Sequence, residues 1–307
     1  MAKSVLSAPR FHNEEAAFEY LEAQLWPEGP VCPQCGETVR IGRLAGKTTR
    51  PGLRKCYACR KPFTVRMGTV FEDSHLPLRM WLQAIHLMCA SKKGISTRQL
   101  QRMLGCGMKT AWHLGHRIRE MMAPAADAGP LGGSGKTVEA DETELAKSRK
   151  TKRPANFRRR THNVRVLSLV ERGGNVRSVT LDHRGVGAHL RKLAHEDSRL
   201  VSDKAQHFKF RGFAKHESVD HSKFEWARDD VHTNTLEGFF SIFKRGLVGV
   251  YQHVDSKHLD RYLAEFDFRQ NNRARLGIDD ERREALTVQA AKGKRLTYQT
   301  THSEAEN

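Results

Sequence analysis

Residues 231–246 read VHTNTLEGFFSIFKRG, and this stretch decides how the back half of the chain is assembled. Leu236, Phe239, Phe240 and Phe243 recur at helical spacing, so the segment is an amphipathic helix with a stripe to bury. Glu237 falls on the inner half of that helix. Lys244 follows seven residues later, about two full rotations, so the two side chains share a face. An inward carboxylate needs something to meet, and the elements upstream supply it. KTVEADETEL (136–145) and HNVRVLSLVER (162–172) have β-branched, alternating apolar content, and Gly173-Gly174 turns the second into NVRSVTLD (175–182). GVGAHLRKLAHE is helical through Leu190, Leu193 and Ala194; RLVSD (199–203) is a short buried strand ending in an acid. A last helix begins near Ser256, with Leu259, Leu263 and Phe266 inward. Strands, a helix, a strand and more helices predict an α/β domain over residues 137–275, a mixed sheet flanked by helices.

Three acids stand out within it. Asp141 follows Val138 and Ala140 on the first strand and can point away from their buried face. Asp203 closes the fourth strand, and Glu237 lies on the helix packed across. Ligands bind in the crevice beyond strand ends in an open sheet. Three carboxylates converging there repel one another unless a cation is present. Magnesium or manganese, hard ions that take oxygen ligands and keep positions open for water and phosphate, would resolve the repulsion and catalyse displacement at phosphorus. Taken singly, each acid has an ordinary alternative: Asp141 can cap a turn, Asp203 can cap the next helix, and Glu237 can be a surface residue unrelated to Lys244.

The front half has different chemistry. Residues 13–26 form a helix capped by Asn13. Cys32-x2-Cys35 and Cys56-x2-Cys59 then stand 20 residues apart, each pair able to offer two thiolates from a tight turn. Two such turns make a four-thiolate zinc site. Together they define an N-terminal helix and zinc ribbon over residues 1–75. Residues 76–122 are helical. Pro77 opens an amphipathic helix, Ser96 and Gln99 make a capping box, and GCG at 105–107 turns into a further helix carrying Ala111, Leu114, Ile118 and Met121 inward. The pair is either a helix-turn-helix, with Lys109, His113 and Arg117 projecting toward DNA, or a plain helical hairpin. An Ala/Gly/Pro-rich linker spans 123–136, and a peripheral helix and disordered tail are expected over 276–307.

Composition narrows the partners. Fifty-three Lys+Arg against 35 Asp+Glu give a formal charge of +18, which favours double-stranded DNA over a membrane. No apolar run approaches the ~18 residues needed to span a bilayer, and the first residues lack a signal peptide's apolar stretch. Two tight cysteine pairs suit a reducing compartment, the cytoplasm. The run Lys147–Arg160 holds eight basic residues and no acid; Arg158, Arg159 and Arg160 end it. It is a solvated loop or a grip on DNA phosphates.

CPQCG (32–36), CYACRKPFTVRMGTVFEDSHLPL (56–78), VEADET (138–143), VSD (201–203) and HTNTLEGFFSIFKRGLVGVYQHVDSKHLDRYLAEFDFRQNNR (232–273) resemble the insertion-sequence transposases of the DDE, RNase H-like superfamily that carry an N-terminal zinc ribbon. The resemblance implies an RNase H-like catalytic domain, Asp141, Asp203 and Glu237 as the magnesium-binding triad, and strand cleavage followed by transfer of 3′-hydroxyl ends to target DNA. Some relatives use the Asn of HTN, here Asn234, as the third ligand; Glu237 ranks first because a carboxylate binds Mg2+ better. Lys244 and Arg245 would hold DNA phosphate, and joining two ends implies a homodimer or higher oligomer. Two departures stand out: DET is followed by ELAKSRK rather than an aromatic and glycines, and Phe240 occupies a position where many relatives carry Trp. Two alternatives fit the same residues: a zinc-ribbon DNA-binding regulator whose RNase H-like half has decayed, or a metal-dependent DNA nuclease.

Overall fold

The computed structural model describes residues 4–145, 164–204, 212–220 and 223–297. The chain forms two compact units, one of residues 1–123 with 272–307, the other of residues 124–271.

In the first unit, helix α1 (Glu14–Leu25) starts where Asn13 accepts the Ala16 N–H, and Glu14 and Glu15 occupy the positive end of its dipole. A three-stranded antiparallel sheet follows, in the order β1 (Ile41–Arg43), β2 (Arg54–Cys56), β3 (Pro62–Phe63). Helix α2 (Leu78–Ala90) buries Trp81, Leu82, Ile85 and Met88. Helix α3 (Thr97–Leu104) is capped by Ser96, which accepts the Gln99 N–H at 3.2 Å. Gly105, with φ near +63°, ends it in the left-handed region open to glycine. Helix α4 (Met108–Met122) begins three residues later and turns Ala111, Leu114, Ile118 and Met121 into the core.

The helix expected within 276–307 is present, but it is not peripheral. Helix α8 (Asp280–Gln289) packs on α2. Its Glu284 is fully buried, paired with His86 at 2.9 Å and Arg10 at 3.1 Å. Local periodicity does not reveal that it is packed rather than peripheral, because what it buries is a carboxylate, neutralised by partners far away in sequence. Residues 298–307 lie outside the described residues.

The second unit is a five-stranded mixed sheet in the order β6-β5-β4-β7-β8. Strands β4 (Thr137–Leu145), β5 (Val164–Glu171) and β6 (Val176–Thr180) form an antiparallel meander, β5 opposing both of the others. Strands β7 (Arg199–Asp203) and β8 (Lys215–Val219) run parallel to β4. Three antiparallel strands, a crossover helix and two parallel strands on the far side of the first are the RNase H-like arrangement. The crossover helix α5 (Gly185–Leu193) covers one face, packing Val186 and Leu190 on Val138, Ala140, Leu169 and Leu200. Helices α6 (Asn234–Gly246) and α7 (Leu259–Asn271) cover the other, packing Phe239, Phe240, Phe243, Leu263 and Phe266 on Val166, Val170 and Val176. Strand β8, KHESV, is absent from the sequence expectation. It is a polar edge strand, and only pairing with β7 makes it a strand.

Candidate functional site: a four-thiolate centre and an acidic sheet end

The zinc ribbon brings the four predicted ligands together. The sulfurs of Cys32, Cys35, Cys56 and Cys59 all lie within 4.8 Å of one another. Cys32 Sγ is 3.7 Å from Cys59 Sγ, and Cys35 Sγ is 3.7 Å from Cys56 Sγ. A disulfide holds its sulfurs at ~2.05 Å, which excludes both crosswise bonds. Zinc–sulfur bonds of ~2.3 Å in a tetrahedron set neighbouring sulfurs ~3.8 Å apart, so the cluster fits Zn2+. Two turns present the pairs. Gly36 N–H closes the first on Cys32 O, and Lys61 O accepts the Cys56 N–H in the second. Gly36 takes φ +75° and Arg60, at the equivalent place, φ +62°. Burial opposes ionisation of Cys32, but amide N–H groups of Gln34 and Cys35 donate to its sulfur and bring the thiol down to about 7, which favours the thiolate a metal requires.

The helical region places its cations unequally. Lys109, on the first turn of α4, is exposed. Arg117, expected to project toward DNA, is buried instead. It donates to the carbonyls of Val70 and of Glu72, the latter at 2.7 Å, and stacks over Trp81 at 5.0 Å. Its spacing from Lys109, two turns, does put both on one side of α4, but the loop before α2 covers the second position. Arg158, Arg159 and Arg160 lie outside the described residues.

In the second unit, strand register gathers the acids. The β4–β7 pairing ends at Ala140 opposite Ser202. Asp141 and Asp203 are the next residues on two neighbouring parallel strands, which run about 4.8 Å apart. Val138, Ala140 and Leu200 face α5, so by alternation Asp141 and Asp203 face the side covered by α6. Helix α6 packs on β4 and β5, with Glu237 in its first turn. Burial, then the charges of Asp203, Glu237 and Glu142, push the Asp141 carboxyl up to about 7, against the help of the Glu142 N–H that donates to its Oδ1 at 2.7 Å.

Glu237 itself is exposed, as are Asn234, Lys244 and Arg245. The inward position expected for Glu237 is thus corrected: it stands at the open rim, because Leu236, Phe239, Phe240 and Phe243 take the whole buried stripe. Lys244 shares its side of the helix two turns on. Among the described residues, the four cysteines are the only group of three or more such ligands whose atoms lie within 4.8 Å of one another, so the acids are spread more widely than a one-ion cage. An all-oxygen set crowded with like charge still suits Mg2+, which binds through few carboxylates and fills its shell with water and phosphate.

Behind the acids lies a group that the sequence shows only as one more acidic neighbour. Glu139, two residues before Asp141 and on the same face, is fully buried. It accepts from Arg172 Nε at 2.8 Å, Thr235 Oγ1 at 3.0 Å and the Thr235 N–H at 3.2 Å. Arg172 also donates to His232 O at 3.0 Å. No local pattern announces this network, because its members come from three elements.

Comparison with known proteins divides the chain in the same way. Residues 12–62 match the transposase zinc-ribbon domain, and residues 130–271 match the ISXO2-like transposase domain. The chain is 27% identical over 288 aligned residues to a protein of Halobacterium salinarum described as an uncharacterized protein in transposable element ISH50, covering 84% of this chain and 91% of that one. Among solved structures, the Mos1 strand transfer complex aligns at 12% identity and a TM-score of 0.26, covering 66% of this chain and 74% of that one. A pre-cleavage Mos1 transpososome aligns at 14% and 0.23, covering 64% and 74%. Structural similarity this low carries no argument about function.

Proposed function

We propose that this chain, which carries a transposase zinc-ribbon domain and an ISXO2-like transposase domain, is an insertion-sequence transposase that cleaves and joins DNA at the acidic end of its sheet. Asp141, Asp203 and Glu237 would hold divalent metal, Mg2+ or Mn2+, with Asn234, one turn before Glu237, as the other candidate for the third position. When bound, the metal supplies Lewis-acid activation of the attacking oxygen and neutralisation of the leaving one. Asp141 and Asp203 are fixed by the sheet and Glu237 by the helix over it, so the oxygen donors are set before DNA arrives. Water attacks a phosphodiester at the element end, leaving a 3′-hydroxyl on the element and a 5′-phosphate on the flank. That hydroxyl then attacks a target phosphodiester at the same acids, joining to the target's 5′-phosphate while the target's own 3′-oxygen leaves with a proton. No covalent bond to the protein is needed. Lys244 and Arg245, exposed on the last turn of α6, offset phosphate charge along the rim. The zinc ribbon and helices α3 and α4, with exposed Lys109, recognise the terminal repeats. Two ends must be joined, so the active form is at least a dimer on DNA, working in the cytoplasm.

The observation that carries the reading is the register that sets Asp141 beside Asp203 beneath α6. The test is a strand-transfer assay with Mg2+ and DNA carrying candidate end sequences. Joined products that vanish with Asp141→Ala and Asp203→Ala support it. Cutting without joining points to a nuclease, and binding without any cut to a regulator. Glu237→Ala compared with Asn234→Ala identifies the third ligand.

A further inference from the structure

We propose that Glu139 is a positioning residue: it pins the first turn of α6 to β4 and so fixes where Glu237 and Asn234 stand relative to Asp141. The proposal rests on the metal-site reading for its purpose, but not for its geometry.

A fully buried carboxylate is costly unless it is paired and hydrogen-bonded, and apolar residues of similar volume in place of such a pair are often neutral or better for stability. The other side of β4 uses Val138 and Ala140, and strand β5 offers Val166 and Val170 to the same helices. Glu139 therefore interrupts an apolar layer, and each of its oxygens is spoken for. Oε1 takes Arg172 Nε and the Thr235 hydroxyl; Oε2 takes the Thr235 amide. Thr235 is the second residue of α6, where amide groups have no partner within the helix and the dipole favours an anion. Arg172 completes the clamp from β5's end by holding His232 O, just before the helix begins. Glu139 thus joins three points: the strand bearing Asp141, the turn after β5, and the helix start bearing Asn234 and Glu237. Glu139 stands two residues from Asp141 on one face of β4, and Thr235 stands two residues from Glu237 in one turn. A shift at the clamp moves both candidate third ligands together. Partners that orient metal ligands from behind typically change metal affinity 10- to 100-fold when removed.

The experiment uses the full, zinc-loaded chain. Amide hydrogen exchange over residues 233–240 is measured without divalent metal in the acidic site, and Mn2+ binding is measured separately by titration. Glu139→Gln keeps size but turns one acceptor into a donor facing Arg172 or Thr235. Thr235→Val removes only the hydroxyl and leaves the ion pair, so it serves if Glu139→Gln fails to fold. Expected are exchange faster by about tenfold in the first turn of α6 and Mn2+ affinity weaker by about tenfold, with the double variant no worse than Glu139→Gln alone. Wild-type exchange and wild-type Mn2+ affinity in both folded variants overturn the proposal. Faster exchange combined with Mn2+ binding that Asp141→Ala leaves untouched upholds the clamp and removes the metal reading instead.

Discussion

Replacing Asp141 by Asn should stabilise the protein in a metal chelator at about pH 8 while abolishing strand transfer. The magnitude comes from the site. Burial and the charges of Asp203, Glu237 and Glu142 lift the Asp141 carboxyl from 3.8 to about 7. Realised in full, a rise of that size is a penalty of about 4 kcal/mol on the ionised folded state. Rearrangement of the exposed Glu237 and entry of water reduce it, and a gain of ~1–3 kcal/mol is expected for Asn. Asn mimics the protonated acid and can still accept the Glu142 N–H, so it loses the repulsion without losing that bond. The sign sets the pH window. Below the unfolded value near 4, folded and unfolded chains both carry the proton and the penalty is absent. As pH rises through about 4 to 7, the unfolded chain ionises first and the wild type loses stability relative to the variant; above about 7 the difference is complete. Urea unfolding of both proteins at about pH 4.5 and pH 8, with chelator and then with Mg2+, measures it. Mg2+ should stabilise the wild type and not the variant. A variant less stable than wild type at the higher pH in chelator, or Mg2+ stabilising both equally, would refute the convergence of acids on Asp141.

Zinc removal is the second expectation: Cys56→Ser should take bound zinc, read by elemental analysis, from one per chain toward none and unfold the ribbon, since its small core is built around Cys32, Cys56 and Phe63. Asp267 gives an independent pH signature. It is buried, and that burial lifts its carboxyl to about 7 although Ser178 donates to it twice. Asp267→Asn should therefore raise thermal stability above about pH 7 and change little near pH 4, with strand transfer retained. Lys244 and Arg117 should separate cleanly. Lys244→Ala should weaken DNA binding and lower the salt dependence by about one counterion. Arg117→Ala should leave that slope alone and destabilise folding by ~2–4 kcal/mol in urea, because it strips a donor from the buried Val70 carbonyl and the half-buried Glu72 carbonyl and a cation from Trp81.

Much of this protein is legible in its text. The zinc centre is, because each pair of ligands sits within one turn and four sulfurs leave little choice of geometry. Strands β4, β5 and β7 and helix α6 are, because a buried face imposes a period of two or 3.6 on the residues themselves. Asp203 stands out as the acid closing an apolar strand, and Asp141 as the acid that follows Val138 and Ala140 on the opposite face of theirs. What escaped has a common cause. Strand β8 is polar and becomes a strand only by pairing with β7. Helix α8 is legible, but not that its Glu284 is buried against His86 and Arg10, which lie at the other end of the chain. Arg117 has the spacing of a surface cation, and a distant loop covers it. Glu139 looks like one more acid in an acidic run, yet Thr235 and Arg172 make it the anchor of a helix.

The sequence by itself determined the elements that carry a buried stripe of their own, and which side chains bring ligand chemistry, since those depend on neighbours a few residues away; the polar strand β8 is the exception. Tertiary structure alone decided that Asp141 and Asp203 are adjacent, that Glu237 stands at the rim, and which charges are buried. Those outcomes depend on register and on partners tens to hundreds of residues distant, and no local pattern encodes where a chain will return to itself.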